Sequence, residues 1–509
     1  MESSTYEGEA HASPSIAPPG DSTVRKKLTL FSLEPKILDH ILSMIKPEDA
    51  WQLSKTCHAA YNIAIPRFLS EITLDGGNWS RRVQGSEHTT RFYSYIFMDP
   101  SHRLPQVKSL TVSCSAFVYY YYSDTSEAYL TGEEDYSPAG SLADAIVGAT
   151  NLERLQIDGA ERLFEESEAL ADAVAVLSAL SDVEFQGAGL HTLSVISRMA
   201  SRPRRIALVF QESDTDADDD FQYPDSLDSH IHFLANFTES LVYLDLAEAD
   251  FDFIHDLAPD AVWPNVQSLS LSGGHVTPSA LRRAFPGVRT LRLMNVTYSA
   301  DASEVSWPAL DFLIADRDLP VVGSIRRLQI EEPILRPDLP PVTTDLATLL
   351  KRTSPVVVSC VPQTDLLSYI ADSVSSVRFI QLFLEEAQLS DASLLEDPEA
   401  SWDAYIPTIA RSSLEGVTIK TGTGFSGRSV AVRDTLSVAE AVVNQIPSLR
   451  YVGLNFSNTL DNVSNWENVT YTWYRVSAGP TDASPKLEAL PDWEGELVLK
   501  NLLNMTRNE

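Results

Sequence analysis

A six-position apolar pattern, L-x-x-L-x-L, returns along this chain from about residue 104 onward. The last three positions alternate between apolar and variable residues, which is typical of a β-strand, and the first apolar residue anchors the entry turn. Weaker copies surround Val183 and Ile206. The strong copies are Val107-Leu110-Val112, Leu152-Leu155-Ile157, Leu241-Leu244-Leu246, Val266-Leu269-Leu271, Val288-Leu291-Leu293, Ile325-Leu328-Ile330, Val377-Ile380-Leu382, Leu414-Val417-Ile419 and Leu449-Val452-Leu454.

The spacing between successive copies favours one architecture. Leu244 to Leu269 is 25 residues, Leu269 to Leu291 is 22, and Val183 to Ile206 is 23. These spacings fall within the roughly 20–29 residues of a leucine-rich repeat. Other spacings are longer, so the repeats are irregular.

Helix-like stretches such as 277–285 and 435–446 lie between the copies. One strand and one helix that cannot bury themselves alone stack on their neighbours and form a solenoid. We therefore predict an α/β fold with a leucine-rich-repeat solenoid over residues 104–456, its parallel β-sheet on the concave face and its helices outside. An ordinary α/β domain with parallel strands is the alternative.

A second apolar periodicity precedes the array, in KILDHILSMIKPEDAWQLSKTC (36–57). Pro35 and Pro47 are each placed to start a helix, because a first-turn residue needs no backbone N–H. A third helix is predicted to be capped by Ser54 or Thr56 and to end around Pro66. The stripe of the first helix consists of Ile37, Leu38, Ile41, Leu42 and Ile45.

Three short helices in about forty residues cannot build a generous core by themselves. The segment must dock either on the rest of the chain or on a partner. Residues 33–74 resemble the F-box domain, in the version common in mushroom-forming (basidiomycete) fungi. The matching residues are Ile37-Leu38, Ile41-Leu42, Pro47-x-Asp49, Leu53-Ser54-x-Thr56-Cys57, Tyr61, Ala64-x-Pro66 and Ile72-x-Leu74.

The resemblance, extended to the degenerate leucine-rich arrays that follow fungal F-boxes, implies a function. Such helices bind the Skp-type adaptor of a cullin–RING ubiquitin ligase, the repeats capture an unknown target protein, and the protein itself is not an enzyme. The family usually opens with Leu-Pro-x-Glu, whereas residues 33–36 read Leu-Glu-Pro-Lys; this motivates an alternative, an interaction scaffold whose degenerate F-box recruits no ligase. The implied adaptor-binding residues are Leu33, Pro35, Ile37, Leu38, Ile41, Leu42 and Leu53.

The array also suggests a target-binding patch. Variable residues beside the central anchor of each strand are expected on the concave face, and on two strong repeats these include Arg292 and Arg327, with Arg289 and Arg326 one step further back. Guanidinium groups suit carboxylate or phosphate recognition. We predict that these four arginines lie on adjacent strands and bind an acidic target segment. The alternative is that nearby acids such as Glu331 pair with them.

Composition excludes several classes of partner. The formal net charge of -33 at pH 7 repels nucleic acid and anionic membrane surfaces, and no apolar run approaches the roughly 18 residues of a membrane helix. Three widely separated cysteines indicate a reducing compartment, cytoplasm and/or nucleus.

Three motifs could carry chemistry, and a simpler interpretation is preferred for each. The glycines of 422–427 match G-x-G-x-x-G, but no convincing helix follows at once. The aspartates of 214–225 lack the glycine and the final glutamate of a calcium loop. His230 and His232 could share a strand face beside acids, without a confident third zinc ligand. We predict no catalytic residue, no metal and no cofactor; an enzyme or metal protein built on 214–232 or 422–427 is a third hypothesis.

These observations predict five regions. A Ser-, Pro- and Ala-rich start indicates a flexible tail, and the end of the chain breaks the repeat pattern, as the cap of a solenoid does. The predicted regions are the tail (1–30), the F-box helices (31–76), a connecting segment (77–103), the solenoid (104–456) and a polar, Trp-bearing C-terminal cap (457–509).

Overall fold

A computed structural model of the chain divides into two compact units, Met1–Ser70 and Glu71–Glu509. Within the described residues no helix is long and apolar enough to cross a membrane. The structure describes residues 30–75, 85–122, 130–210, 231–248, 261–298, 303–331, 343–385, 405–422, 435–456, 469–477 and 485–506.

The first unit contains the three predicted helices. They are α1 (Pro35–Ser43), α2 (Pro47–Ser54) and α3 (His58–Leu69), and a 3-10 turn at Leu30–Ser32 precedes them. Both predicted proline starts are confirmed, since each proline occupies the first turn of its helix. The Glu34 carbonyl accepts from the Ile37 and Leu38 N–H groups at 2.9 and 3.0 Å, so the backbone itself begins α1.

The start and end of α3 differ from the prediction. The N-cap is Cys57, whose Sγ accepts from the Ala60 N–H at 3.5 Å. Ser54 and Thr56 instead donate from their hydroxyls to the Trp51 and Leu53 carbonyls. The helix also continues past Pro66 to Leu69. Packing of the last turn explains this continuation, because Leu69 is fully buried and tertiary contacts outweigh the local cost of a proline.

Contacts inside the first unit are few but specific. Ala50, Ala60 and Ala64 are fully buried where α2 and α3 meet. Trp51 stacks on Phe68 with ring centroids 4.8 Å apart. The small alanines let the two helices approach closely, and the aromatic pair closes one side of the contact.

The second unit is built on a sheet of 16 strands whose order in the sheet follows the order in the chain. Every pairing from β1 to β16 is parallel, and β17 and β18 add antiparallel to the end. A hairpin of β3 and β4 forms a separate sheet. The strands are β1 (Glu71–Leu74), β2 (Ser109–Val112), β3 (Val118–Tyr122), β4 (Leu130–Glu134), β5 (Arg154–Asp158), β6 (Asp182–Ala188), β7 (Arg205–Phe210), β8 (Tyr243–Ala247), β9 (Ser268–Ser272), β10 (Thr290–Met294), β11 (Phe312–Ala315), β12 (Arg327–Ile330), β13 (Val357–Cys360), β14 (Phe379–Glu385), β15 (Gly416–Gly422), β16 (Tyr451–Asn455), β17 (Thr472–Ser477) and β18 (Lys486–Ala489).

The helices lie between the strands in the chain. Phe164 of a helix meets Phe185, an anchor of β6, edge to face at 5.6 Å, so this helix covers the anchor side of the sheet. Short 3-10 segments at Leu104–Gln106, Cys114–Phe117 and Ile231–Phe237 and a helical turn at 405–409 add to them. The helices are α4 (Gly85–Ile96), α5 (Pro100–Arg103), α6 (Ala139–Gly148), α7 (Ala160–Glu166), α8 (Glu168–Val176), α9 (Leu190–Arg198), α10 (Pro278–Ala284), α11 (Thr343–Thr353), α12 (Thr364–Ser373), α13 (Thr435–Gln445) and α14 (Asp492–Leu503).

The register of the sheet confirms the predicted α/β class and the repeat array. The central anchors of neighbouring copies pair directly, as Leu244 does with Leu269 and Leu269 with Leu291. The weaker copies at Val183 and Ile206 pair in the same register. These anchors are buried, and the residues between them point to the opposite face of the sheet.

Three strands of the array were not predicted. Glu71–Leu74 was assigned to the F-box segment, yet Ile72 pairs with Leu110 and Leu74 with Val112, so the sheet begins well before residue 104. Phe312–Ala315 and Val357–Cys360 complete the array. They lack the polar alternation of the other copies. Val357–Cys360 is buried on both faces, and Phe312–Ala315 carries apolar residues on its partly exposed face as well, so a continuous apolar run hides the period of each strand.

Candidate functional site

The surface of an array that can vary without disturbing the core is the one opposite the anchors. We call it the variable face: the side chains that precede each central anchor or follow it directly. From β5 to β10 these residues are mostly partly exposed, and we call that stretch, with β11 and β12, the open part. On β13 to β16, the closed part, nearly all of them are buried.

An ion-pair network crosses the first strands of the open part. Arg205 Nη1 lies 2.9 Å from Asp182 Oδ1 and 3.2 Å from Glu184 Oε2. Arg154 approaches the same two carboxylates at 3.5 and 3.9 Å, and Gln156 donates to Glu184 at 3.1 Å. Because these strands are neighbours and Arg154, Asp182 and Arg205 lie at paired positions, residues that are far apart in sequence meet in one ladder.

Arg205 is the centre of this network. Burial by itself would lower its pKa, but hydrogen bonds and charge from Asp182 and Glu184 outweigh burial and raise the pKa above the ordinary arginine value. The guanidinium also lies 4.9 Å from the ring centroid of Tyr243, a cation–π contact. Tyr243 in turn donates to Asp245 at 3.2 Å. This stretch thus presents a mixed-charge, largely self-paired surface.

Two of the predicted arginines lie on the variable face, but not on adjacent strands. Arg292 belongs to β10 and Arg327 to β12, and β11 lies between them. The prediction of adjacent strands is wrong for that reason. Arg292 Nη2 pairs with Glu331 Oε2 at 3.0 Å, which is the neutralising partner foreseen as the alternative. The Arg327 guanidinium lies 4.0 Å from the ring centroid of Phe312.

The other two arginines precede their strands. Arg326 pairs with Asp311 through two nitrogens and also donates to the Leu503 carbonyl and to Asn504 Oδ1. Arg289 is exposed. The structure therefore separates the four arginines into an Arg292–Glu331 pair, a stacked Arg327, an Arg326 bound to the end of the chain, and an exposed Arg289.

The closed part is sealed by the C-terminal helix, Asp492–Leu503. Val357 of β13 and Phe379 of β14 have partly exposed counterparts on most strands of the open part, yet both are 0% exposed. They belong to one cluster with Val498, Leu499 and Leu502 of the helix. The segment predicted as a polar cap thus contains a helix, and this helix buries an apolar side across the variable face itself, because Val357 and Phe379 offer it an apolar floor.

Two glycines allow this helix to lie so close. The indole of Trp473, on β17, lies between them: a Cβ at Gly453 would stand 3.0 Å from the ring, and a Cβ at Gly495 of the helix would overlap Cδ1. A third, Gly416, lies against the side chain of Leu502. The sequence signal for this contact is weak, since a glycine inside a helix normally marks only lower stability.

A cavity of about 490 Å³ opens beside the C-terminal helix. Tyr471 and Trp473 form its aromatic side, and Arg327 contributes from the sheet. The polar wall on the helix consists of Asp492, Glu496, Lys500 and Asn504. Burial raises the pKa of the Tyr471 hydroxyl to about 12, so this side of the cavity stays neutral at ordinary pH.

The first unit places the seven predicted adaptor-binding residues at different depths. Leu42 is 7% exposed and packs inward, whereas Ile37, five residues earlier, is 48% exposed. Leu33, Leu38, Ile41 and Leu53 are half-buried, and Pro35 is exposed. The exposed apolar surface continues through Phe31 and Met44. Helix α1 therefore buries one edge of its apolar stripe and leaves the other edge uncovered.

Most candidates for metal or nucleotide binding lie outside the described residues: the acidic run 214–225, His230 and residues 423–427. The backbone of His232 belongs to the 3-10 segment Ile231–Phe237, so the strand that the two histidines could have shared is not formed at His232. In the part of the chain that the structure describes, no three histidine, cysteine or acidic side chains group together as metal ligands.

No protein-family model matches the sequence, and no curated protein matches it either. Among solved structures, the chain is similar to the leucine-rich repeat-containing protein LegL7 from Legionella pneumophila. The identity is 12%, the match covers 64% of this chain and 87% of that chain, and the TM-score is 0.32. The strand register of this chain, rather than this likeness, shows the repeat array.

Proposed function

We propose that this protein is a substrate-recognition subunit of a Skp–cullin–F-box ubiquitin ligase. The helices of the first unit bind the Skp-type adaptor, and the leucine-rich-repeat array holds a target protein beside the ligase. The protein performs no chemistry itself; it raises the effective concentration of its target at a partner that does. Such a role belongs to the cytoplasm and/or the nucleus.

The observation that carries the proposal is the uncovered edge of helix α1. Ile37 is exposed, Leu38 and Ile41 are half-buried, and Phe31 and Met44 extend the apolar surface beyond the helix. Ile37, Ile41 and Met44 follow one another at the spacing of one side of a helix, and apolar side chains grouped in this way indicate an interaction site more than scattered ones do. The F-box resemblance assigns that site to the adaptor.

For the target, the open part of the variable face is the better candidate region. Its side chains are partly exposed and polar, whereas the closed part is already occupied by the C-terminal helix. Acidic side chains pair with Arg292 and Arg326, and Arg327 stacks on Phe312. The acidic-target prediction therefore now depends on Arg289, which is exposed just before β10 rather than on the variable face.

Titration of the purified full-length protein with the Skp-type adaptor of its host tests the proposal. We expect tight binding that Ile37→Asp weakens by at least a hundredfold, because the change buries a carboxylate in the contact. Val176→Asp is the matched control: it changes a similarly exposed apolar residue at the end of α8 in the second unit. Equal weakening by both variants, or none by Ile37→Asp, would contradict an adaptor site on α1.

The alternative is a leucine-rich-repeat scaffold that recruits no ligase. The order Leu33-Glu34-Pro35-Lys36, which departs from the family's opening, favours it. Here the wild-type protein would not bind the adaptor at all, while the array would still bind its partner. The same titration therefore separates the two functions.

A further inference from the structure

The outer side of the C-terminal helix carries two large apolar side chains in the open. Trp493 is 68% exposed and Leu497 is 51% exposed, and residues four positions apart lie on the same side of a helix. The opposite side of this helix is buried through Val498, Leu499 and Leu502. The helix cannot turn to hide the pair, so they form a fixed surface that we call the apolar ridge.

Carboxylates lie along one flank of the ridge. Asp492 and Glu496 are exposed and one turn apart, and both line the cavity beside the helix. Lys500, a further turn along, is the one basic residue of this row, and Arg327 of β12 lines the same cavity, so the excess of negative charge around the ridge comes from the chain as a whole. The chain as a whole carries -33. The field at the ridge therefore favours a cationic partner and disfavours an anionic one.

We propose that the apolar ridge binds a short basic amphipathic segment of the target protein. Apolar side chains of that segment pack on Trp493 and Leu497, and its lysine or arginine side chains lie against Asp492 and Glu496. Tryptophan is the residue most enriched among interface hot spots, and its ring face also attracts cations. That the partner is the target of a ligase rests on the proposed function, whereas the presence of the ridge and its charge does not.

This site differs from the predicted arginine patch in position and in charge. The arginine patch requires an acidic target on the open part of the variable face. The ridge lies on the helix that seals the closed part, and it selects the opposite charge. A second copy of this chain is a poor occupant, because two proteins of this net charge repel each other.

Binding of defined peptides tests the inference. The probes are labelled synthetic peptides of about 16 residues, long enough to form helices: one of lysine and leucine in an amphipathic pattern, one of glutamate and leucine in the same pattern, and one of lysine and glutamine without leucine. Each is titrated into the full-length protein by fluorescence anisotropy at about 0.15 M salt, where long-range attraction is largely screened. We expect only the lysine–leucine peptide to bind with measurable affinity.

Variants then locate the binding. Trp493→Ala should weaken binding of the lysine–leucine peptide roughly thirtyfold, as loss of a hot-spot residue does, and Glu496→Gln about two- to fivefold. Val176→Ala, at an apolar position that is 63% exposed elsewhere, is the matched control and should change nothing. Both substitutions to alanine are at exposed sites, so the fold should persist, which circular dichroism checks.

Three outcomes would overturn the inference: a preference for the glutamate–leucine peptide, equal binding by wild type and Trp493→Ala, or self-association that Trp493→Ala abolishes. Adaptor binding, measured separately on the same preparations, tests the ligase role. If the wild-type protein binds the adaptor but not the lysine–leucine peptide, only the inference about the ridge is contradicted. If it binds the peptide but not the adaptor, only the proposed ligase role is contradicted.

Discussion

The two parts of the variable face use the same backbone arrangement for opposite purposes. On β5, β6 and β7 of the open part, the residue before the central anchor is Arg154, Asp182 and Arg205. On β13 and β14 of the closed part it is Val357 and Phe379. Charged side chains pair across the strands of the open part and stay in contact with water. Apolar side chains in the closed part require a cover, and the C-terminal helix supplies it.

The difference shows that a repeat array can vary its surface without varying its fold. The anchors of β5 and of β14 are equally buried, so their burial does not depend on what faces the other way. Each part should therefore respond to its own kind of perturbation: packing and burial for the closed part, charge and salt for the open part.

The largest expected effect comes from removing the indole in the closed part. Trp473→Ala leaves a cavity between Gly453 and Gly495 and should lower the free energy of unfolding of the C-terminal region by about 3–5 kcal/mol. Urea denaturation and hydrogen exchange measure this loss. Trp493→Ala, on the exposed side of the same helix, should change it by no more than about 0.5 kcal/mol. Equal effects would mean that the helix is not held by its inner side.

High pH should loosen the closed part through Tyr471. Burial raises the pKa of its hydroxyl to about 12, above the value of about 10 in the unfolded chain. The neutral form is favoured in the fold, so its stability is intact below pH 10 and falls as pH rises from 10 to 12, by roughly 2–3 kcal/mol.

Denaturation curves of the wild type and of Tyr471→Phe would be compared from about pH 8 to about pH 12, a range that spans both tyrosine pKa values. The variant lacks the ionisable hydroxyl and should lose less stability over the same range. The other tyrosines contribute equally to both proteins. If the free energy of unfolding falls by the same amount with pH in both, Tyr471 is not buried as described.

Replacing Gly495 of the C-terminal helix with alanine should destabilise the protein, although this change usually stabilises a helix. Alanine favours a helix interior over glycine by about 1 kcal/mol, but a Cβ at Gly495 overlaps the Trp473 ring, and overpacking costs about 1–3 kcal/mol. We expect Gly495→Ala to destabilise by about 1 kcal/mol, and Asn501→Ala, an exposed position of the same helix, to be neutral or slightly stabilising. A stabilising Gly495→Ala would show that the helix stands further from the sheet.

The smallest effect is expected in the open part and should depend on salt. Arg205→Ala removes the contacts to Asp182 and Glu184, and for a partly exposed pair we expect a loss of about 1 kcal/mol or less. The loss should shrink at about 1 M salt, whereas the effect of Gly495→Ala should not. Thermal unfolding at both salt concentrations checks this; a salt-independent Arg205→Ala would mean that packing on Tyr243 dominates.

Much of the array could be predicted because its signal is local and repeated. The strands around Leu244, Leu269 and Leu291 are each recognisable from a pattern of six consecutive residues. The helix starts at Pro35 and Pro47 are likewise recognisable from a few neighbouring residues. The strands at 312–315 and 357–360 were missed because neither alternates apolar with polar residues: the second is buried on both faces, and the first carries Phe312 and Ile314 on its partly exposed face. Missing the first of these placed Arg292 and Arg327 on neighbouring strands.

The candidate sites were harder to predict because pairing is a property of distance in space. Glu331 neutralises Arg292 from 39 residues away, and Arg326 reaches Leu503 from 177 residues away. Nothing in a short window distinguishes an arginine that is paired from one that is exposed. The uncovered edge of α1 was foreseeable as an apolar stripe, but not which of its residues remain exposed.

The sequence by itself determined where the strands of the array and the helices of the first unit form, since periodicity and proline placement act over a few residues. Only the tertiary structure decided that the C-terminal helix lies across the variable face, with Leu502 against Gly416 and Trp473 between two glycines. The reason is physical: an apolar pattern records that a side chain must be buried, and the partner that buries it is chosen by the three-dimensional packing of distant segments.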